Sequence, residues 1–156
     1  MGLPRTFVGF SSSDIHYYRL MCAWKEHDHI DFNFADCQLA DSINSDNEDY
    51  IKRLCRARID LAGYFIQLIG DDTRSKHKYV RWELDVAVEK GCKIIGVNLD
   101  GSRVFVPNKT PPLMHDIGAV FVSFQAKAIA CALQLKTWNA KGNWTLKDET
   151  YKSLGL

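Results

Sequence analysis

In the stretch Tyr79-Val80-Arg81-Trp82-Glu83-Leu84, an aromatic ring precedes a carboxylate by four positions. On a helix, residues four apart share one face, with Cβ atoms about 6 Å apart. Tyr79 and Glu83 can then address the same cleft. The ring can stack on a base or sugar face, and the carboxylate can accept hydrogen bonds from ribose hydroxyls. A carboxylate beside an anomeric carbon also stabilises the oxocarbenium-like charge that develops as a glycosidic bond breaks. The plainer account is an exposed helix glutamate paired with Arg81 or another charge, and spacing alone favours it.

Other groups of reactive residue types say less. His27 and His29 flank Asp28, but no third ligand is in view, and histidines at a helix end explain them. Ser11-Ser12-Ser13 lacks a readable base, so a turn and a helix cap at Ser13 account for it. No phosphate loop of the G-x-x-x-x-G-K type is present.

The elements that must position these residues follow from the apolar runs. Thr6-Phe7-Val8-Gly9-Phe10 is short and β-prone and stops at Ser11-Ser12-Ser13-Asp14. Five strands are expected near residues 5–10, 30–34, 62–69, 93–99 and 118–124. Helices are expected over 14–25, behind the capping-box sequence Ser45-Asp46-Asn47-Glu48, over 78–90 where Gly91 ends it, and over 125–139. Segment 35–44 reads as a loop, as does the proline-containing 100–116. Strands alternate with helices, which predicts an α/β fold with a five-stranded, mainly parallel sheet and helices on both faces. Ligands of such folds bind beyond the carboxyl ends of the strands. Phe10, Ser11, Asp36, Asp71 and Asn98 fall near those ends. The tail from Ala140 onward receives no role from its sequence, and Asn143-Trp144-Thr145 reads as a chance match to a glycosylation sequon.

The length of 156 residues suits one domain over 1–156, and 46% hydrophobic content with a net charge of +1 is ordinary for a globular chain. That balance argues against nucleic acid as a partner. The basic group Lys52, Arg53, Arg56 and Arg58 reads as the solvated face of a helix. No apolar run approaches a membrane span. The five cysteines include no C-x-x-C pair. Their odd number, without a secretory signal, predicts reduced thiols and a cytoplasmic location.

Two segments resemble a known family. Residues 79–97, YVRWELDVAVEKGCKIIGV, are similar to the third helix and fourth strand of TIR domains. Residues 6–14, TFVGFSSSD, resemble the first TIR strand and its turn. The likeness is greatest to the TIR-like branch of bacterial antiviral defence, and it extends over about 5–99. It implies an enzyme that cleaves NAD at the nicotinamide–ribose bond, with NAD as substrate, no other cofactor and no metal. Glu83 matches the catalytic glutamate of the family, and Tyr79 its helix-three aromatic position. Phe10 and Ser11 would line the pocket floor. Asp36, in the loop after the second strand, would contribute to a shared pocket or to self-association. The product would be an ADP-ribose-derived signal, cyclic or conjugated, read by a separate effector protein.

Two features depart from that pattern. Position 79 is Tyr where several NAD-cleaving members have Trp, and 35–44 lacks the proline motif of animal receptor TIR domains. A non-catalytic interaction module remains the alternative. A phosphoreceiver shares the fold class but carries a strand-five lysine, and here that strand ends at Ser123-Phe124-Gln125.

Overall fold

The computed structural model describes residues 2–27, 29–35, 48–75 and 79–156. Six strands form one sheet in the order β2-β1-β3-β4-β5-β6, every neighbouring pair parallel. They are β1 (Arg5–Gly9), β2 (Asn33–Ala35), β3 (Tyr64–Ile69), β4 (Lys93–Asn98), β5 (Ala119–Ser123) and β6 (Asn143–Thr145). The helices are α1 (Ile15–His27), α2 (Glu48–Leu61), α3 (Tyr79–Glu89), α4 (Ala126–Leu133) and α5 (Asp148–Ser153). Short 3-10 turns cover Ser12–Asp14, Thr73–Ser75 and Pro112–Met114.

Successive side chains of a strand point to opposite faces, so a sheet covered on both sides must be apolar throughout. The central strands show this. Phe65, Ile94 and Phe121 enter a core under α2 and α3, with Ile51, Ile59, Val80 and Leu84. Their neighbours Ile66, Ile95 and Val122 enter the opposite core with Met21, Trp24 and Ile129. The α/β class and the helices on both faces are as the sequence indicates; the sheet has six strands rather than five. The added strand lies in the tail. Asn143, Trp144 and Thr145 pair with Ala119, Val120 and Phe121. All three are exposed, so no apolar run marks them. The sequon match is therefore an edge strand, in which Asn143 Oδ1 accepts a bond from the Asp116 backbone N–H at 2.9 Å.

Two of the other boundaries differ clearly from the sequence reading. The second strand is shorter and later, Asn33–Ala35 rather than 30–34. The fourth helix ends at Leu133 instead of 139, where the chain turns to bring Trp138 edge-on against Tyr64 at 5.9 Å. It then continues into β6 and α5. Tyr151 on α5 is fully buried, and its hydroxyl accepts a bond from the Ser123 backbone N–H at 3.2 Å. The tail is thus part of the core. Of the Ser45-to-Glu48 capping box, residues 45–47 lie outside the described residues, and α2 begins at Glu48. Among the described residues no helix is long and apolar enough to cross a membrane.

Candidate active site at the carboxyl edge

β1 and β3 are neighbours, so the turns that leave them lie side by side. From β1 the chain passes Phe10 and Ser11 into the Ser12–Asp14 turn and then α1. From β3 it passes Gly70, Asp71 and Asp72 into the Thr73–Ser75 turn and then α3. In a parallel sheet the helix after each strand starts at the carboxyl edge. Tyr79 opens α3 and Glu83 follows one turn later, both half-buried. Val80 and Leu84, one position on from each, are buried and seat this helix on the sheet. The apolar spacing thus turns the Tyr79–Glu83 stripe along the margin of the packed face.

Hydrogen bonds join the two turns. Ser13 Oγ donates to Asp72 Oδ2 at 2.7 Å, and the Ser11 and Ser13 hydroxyls lie 3.1 Å apart. Ser13 therefore does not cap α1, as its position in the sequence suggests; the 3-10 turn leads directly into the helix, and the hydroxyl is given to a carboxylate instead. Gln67 is fully buried within β3, opposite the last residue of β1, and its Nε2 donates to the carbonyls of Gly9 and Leu68 at 3.2 and 3.1 Å. Thr73 Oγ1 accepts from the Gly70 N–H at 2.8 Å and donates to Leu68 O at 3.3 Å. Both strand ends are fixed by side chains where the ladder stops.

Asp14 and Gly70 also meet where the two turns adjoin. Asp14 is 9% exposed, and a Cβ built on Gly70 would overlap its carboxyl group. Glycine is required there for space rather than for an unusual φ. Burial pushes the Asp14 carboxyl above the usual range, Asp72 and Asp71 add repulsion in the same direction, and His16 opposes them. Sequence reading placed Asp14 only at a helix start; its pairing with Gly70 depends on β1 and β3 being adjacent.

The expected site residues fall as follows. Ser11 is buried at the junction of the turns. Phe10 is half-buried and stacks on Tyr18 of α1, ring centroids 4.9 Å apart and planes 19° apart. It packs with the core under α1, whereas Tyr79 packs with the core under α3, on the other face of the sheet. A ligand touching both must lie across the strand ends. Asp36 lies outside the described residues. Asn98 is buried and supports the loop after β4, donating from Nδ2 to the carbonyls of Ser102 and Val104 at 3.1 and 2.8 Å. In that loop the Ser102 N–H bonds to the Asp100 carboxylate and, with Lys109 at 3.1 Å, holds its pKa below the usual value. Lys109 also reaches Asp71 at 3.5 Å, tying the loop to the β3 turn. Among the described residues no group of three His, Cys, Asp or Glu side chains is arranged to hold a metal ion.

This arrangement suits a ligand rich in hydroxyl donors: carboxylates and hydroxyls line two adjoining turns, and an aromatic ring and a further carboxylate stand on the helix that follows. No curated protein sequence matches the chain. The solved structure of the Clostridium botulinum CMP N-glycosidase BcmB is similar, with 13% identity and a TM-score of 0.49, over 83% of this chain and 97% of that one. Residues 7–104, more than half of the chain and including every described site residue named from sequence, match the family described as the TIR-like domain of the Thoeris protein ThsB. The chain belongs to the ThsB TIR-like domain family.

Proposed function

We propose that the protein cleaves the nicotinamide–ribose bond of NAD and builds an ADP-ribose-derived signal, cyclic or conjugated, for bacterial antiviral defence. The observation that carries this reading is the Tyr79–Glu83 stripe on a helix whose first turn opens at the carboxyl edge of β3. Membership in the ThsB TIR-like family supports it. Glu83 is the catalytic residue, Tyr79 the stacking platform, and Phe10 and Ser11 the floor beneath the sugar. Asp36 serves the pocket or self-association on activation. A separate effector reads the product, and the setting is the cytoplasm.

The chemistry requires little of the protein beyond position and charge. The C1′–N bond breaks heterolytically, and its electron pair neutralises the positive pyridinium nitrogen. Nicotinamide therefore leaves as a neutral molecule and needs no proton. Positive charge moves to the ribosyl C1′ and ring oxygen, where the Glu83 carboxylate stabilises it. Water, a nucleophile from the same ADP-ribose, or one from a second small molecule then attacks C1′ and loses its proton, giving the hydrolysed, cyclic or conjugated product.

The test is nicotinamide release from NAD by the pure full-length chain, basal and triggered. Glu83→Gln keeps the shape and removes the charge, so the rate should fall on the order of 10²–10³ with the melting temperature near the parent's. If the triggered parent consumes NAD and Glu83→Gln does so at the same rate, Glu83 is not the catalytic residue.

A further inference from the structure

Two tryptophans stand where the tail folds back on β5, outside the segment that matches the family model. Trp138, in the connection from α4 to β6, and Trp144, in β6, line an open pocket of about 380 Å³ together with Gly118, Val120, Leu135 and Leu146. That volume falls within the roughly 300–1,000 Å³ of small-molecule sites. The pocket is apart from the candidate active site. Gly118 precedes β5 and Val120 is its second residue, so the pocket lies toward the amino edge of the sheet. Its walls are held in place. Trp138 Nε1 donates to the Leu135 carbonyl at 3.1 Å, and the ring meets Tyr64 edge-on. Trp144 Nε1 donates to the Lys141 carbonyl at 2.7 Å. Gly118, at φ +82°, lets the connection approach β5, since a Cβ there would collide with the Asn139 carbonyl. Gly142, at φ +91°, lets the Trp144 ring lie close, since its Cβ would come within 2.9 Å of the indole nitrogen.

Both indole N–H groups are taken by backbone carbonyls, so the rings offer apolar faces and edges rather than donors. Val120 and Leu146 connect the pocket to the core beneath it, yet Trp144 is 44% exposed. Lys147 is the one charged residue that lines the pocket; no Asp or Glu does. Its ammonium enters no ion pair among the described residues. Flat apolar walls with one uncommitted cation suit a flat ring that carries one negative charge. The ring packs against the indoles, and the anion takes the lysine's N–H groups. A cationic ligand would meet Lys147 and find no carboxylate. We propose that this pocket is a second small-molecule site, separate from the candidate active site, and that it takes a planar aromatic carboxylate. The rival account is structural: Trp144 only shields the edge strand, and Lys147 is a solvated charge before α5.

The experiment titrates the full chain calorimetrically with three probes: naphthoate, its neutral analogue naphthamide, and cyclohexanecarboxylate, which has the charge without the aromatic ring. Naphthoate should bind about tenfold more tightly than naphthamide, the lower end for a hydrogen bond to a charged group. It should also bind about tenfold more tightly than cyclohexanecarboxylate, which loses the stacking and part of the buried apolar area. Lys147→Met should bring naphthoate to within about twofold of naphthamide and leave naphthamide binding unchanged. Trp144→Leu should weaken both aromatic probes by about tenfold. Melting temperatures establish that each variant is folded; if Trp144→Leu is not, Lys147→Met, a change at an exposed side chain, decides. No naphthoate binding by the parent at millimolar concentration overturns the proposal and leaves the structural account. So does a preference for naphthoate over naphthamide that survives Lys147→Met, because the probe then binds elsewhere. Neither outcome bears on NAD cleavage, which is assigned to the other edge of the sheet.

Discussion

Tyr79 stands one helical turn before Glu83 and is half-buried at the edge of the core under α3. Its proposed work is done by the ring, which can lie against the substrate while the hydroxyl contributes little. Tyr79→Phe should then retain most NAD cleavage, and Tyr79→Ala should lose much of it. Steady-state rates on folded variants decide; equal and severe loss in both would make the hydroxyl the working group. Asp14 offers a second residue-scale test, in pH. Its folded-state pKa is raised, first by burial and then by Asp72 and Asp71 against His16. Between the ordinary aspartate value and the raised one, the folded state holds more proton than the unfolded state. Lowering the pH through that window therefore stabilises the fold at this site. The stability gap between Asp14→Asn and the parent should be widest near neutrality and narrow as pH falls into the window. Denaturant titration at several pH values measures it, and a gap that widens on acidification would reverse the sign of the argument.

At the scale of elements, the tail shows how weak local signals become structure. Asn143–Thr145 has neither apolar run nor length, but β5 offers an unpaired edge and β6 satisfies it. α5 then closes the core with Tyr151, whose ring is covered by the Arg103 guanidinium at 4.2 Å. The Tyr151 hydroxyl takes the Ser123 N–H at the end of β5, a buried donor that would otherwise go unpaired. Tyr151→Phe should cost about 1–3 kcal/mol. For a domain of this size that lowers the melting temperature by about 2–4 °C per kcal/mol. An unchanged melting curve would show that water replaces the hydroxyl.

At the scale of the whole molecule, the helices cover both faces of the sheet and bury thiols between layers. Cys92 and Cys131 are partly buried and free, and burial raises both thiol pKa values, with Asp60 adding to the effect at Cys92. The thiolate is the reactive form, so these two should alkylate more slowly in the native protein than after denaturation. Thiol titration of denatured protein in non-reducing buffer should count five cysteines, Cys37 included although it lies outside the described residues. A count of three or fewer would show disulfides and contradict the expected reducing location.

What the sequence determined by itself is what depends on local pattern. Apolar runs with alternating partners marked the strands of the central sheet, because a strand covered on both faces needs apolar residues at every position. The four-residue step from Tyr79 to Glu83 put both on one helical stripe, since that is the helix period. Tertiary structure alone decided which turns meet. Strand order places β1 beside β3, and only then do Ser13 and Asp72, or Asp14 and Gly70, come together from positions far apart in the chain. It also decided that Phe10 and Tyr79 pack on opposite faces, and that an exposed three-residue segment completes the sheet. Such contacts leave no period in the sequence, because their partners are chosen by the packing of the sheet rather than by neighbours along the chain.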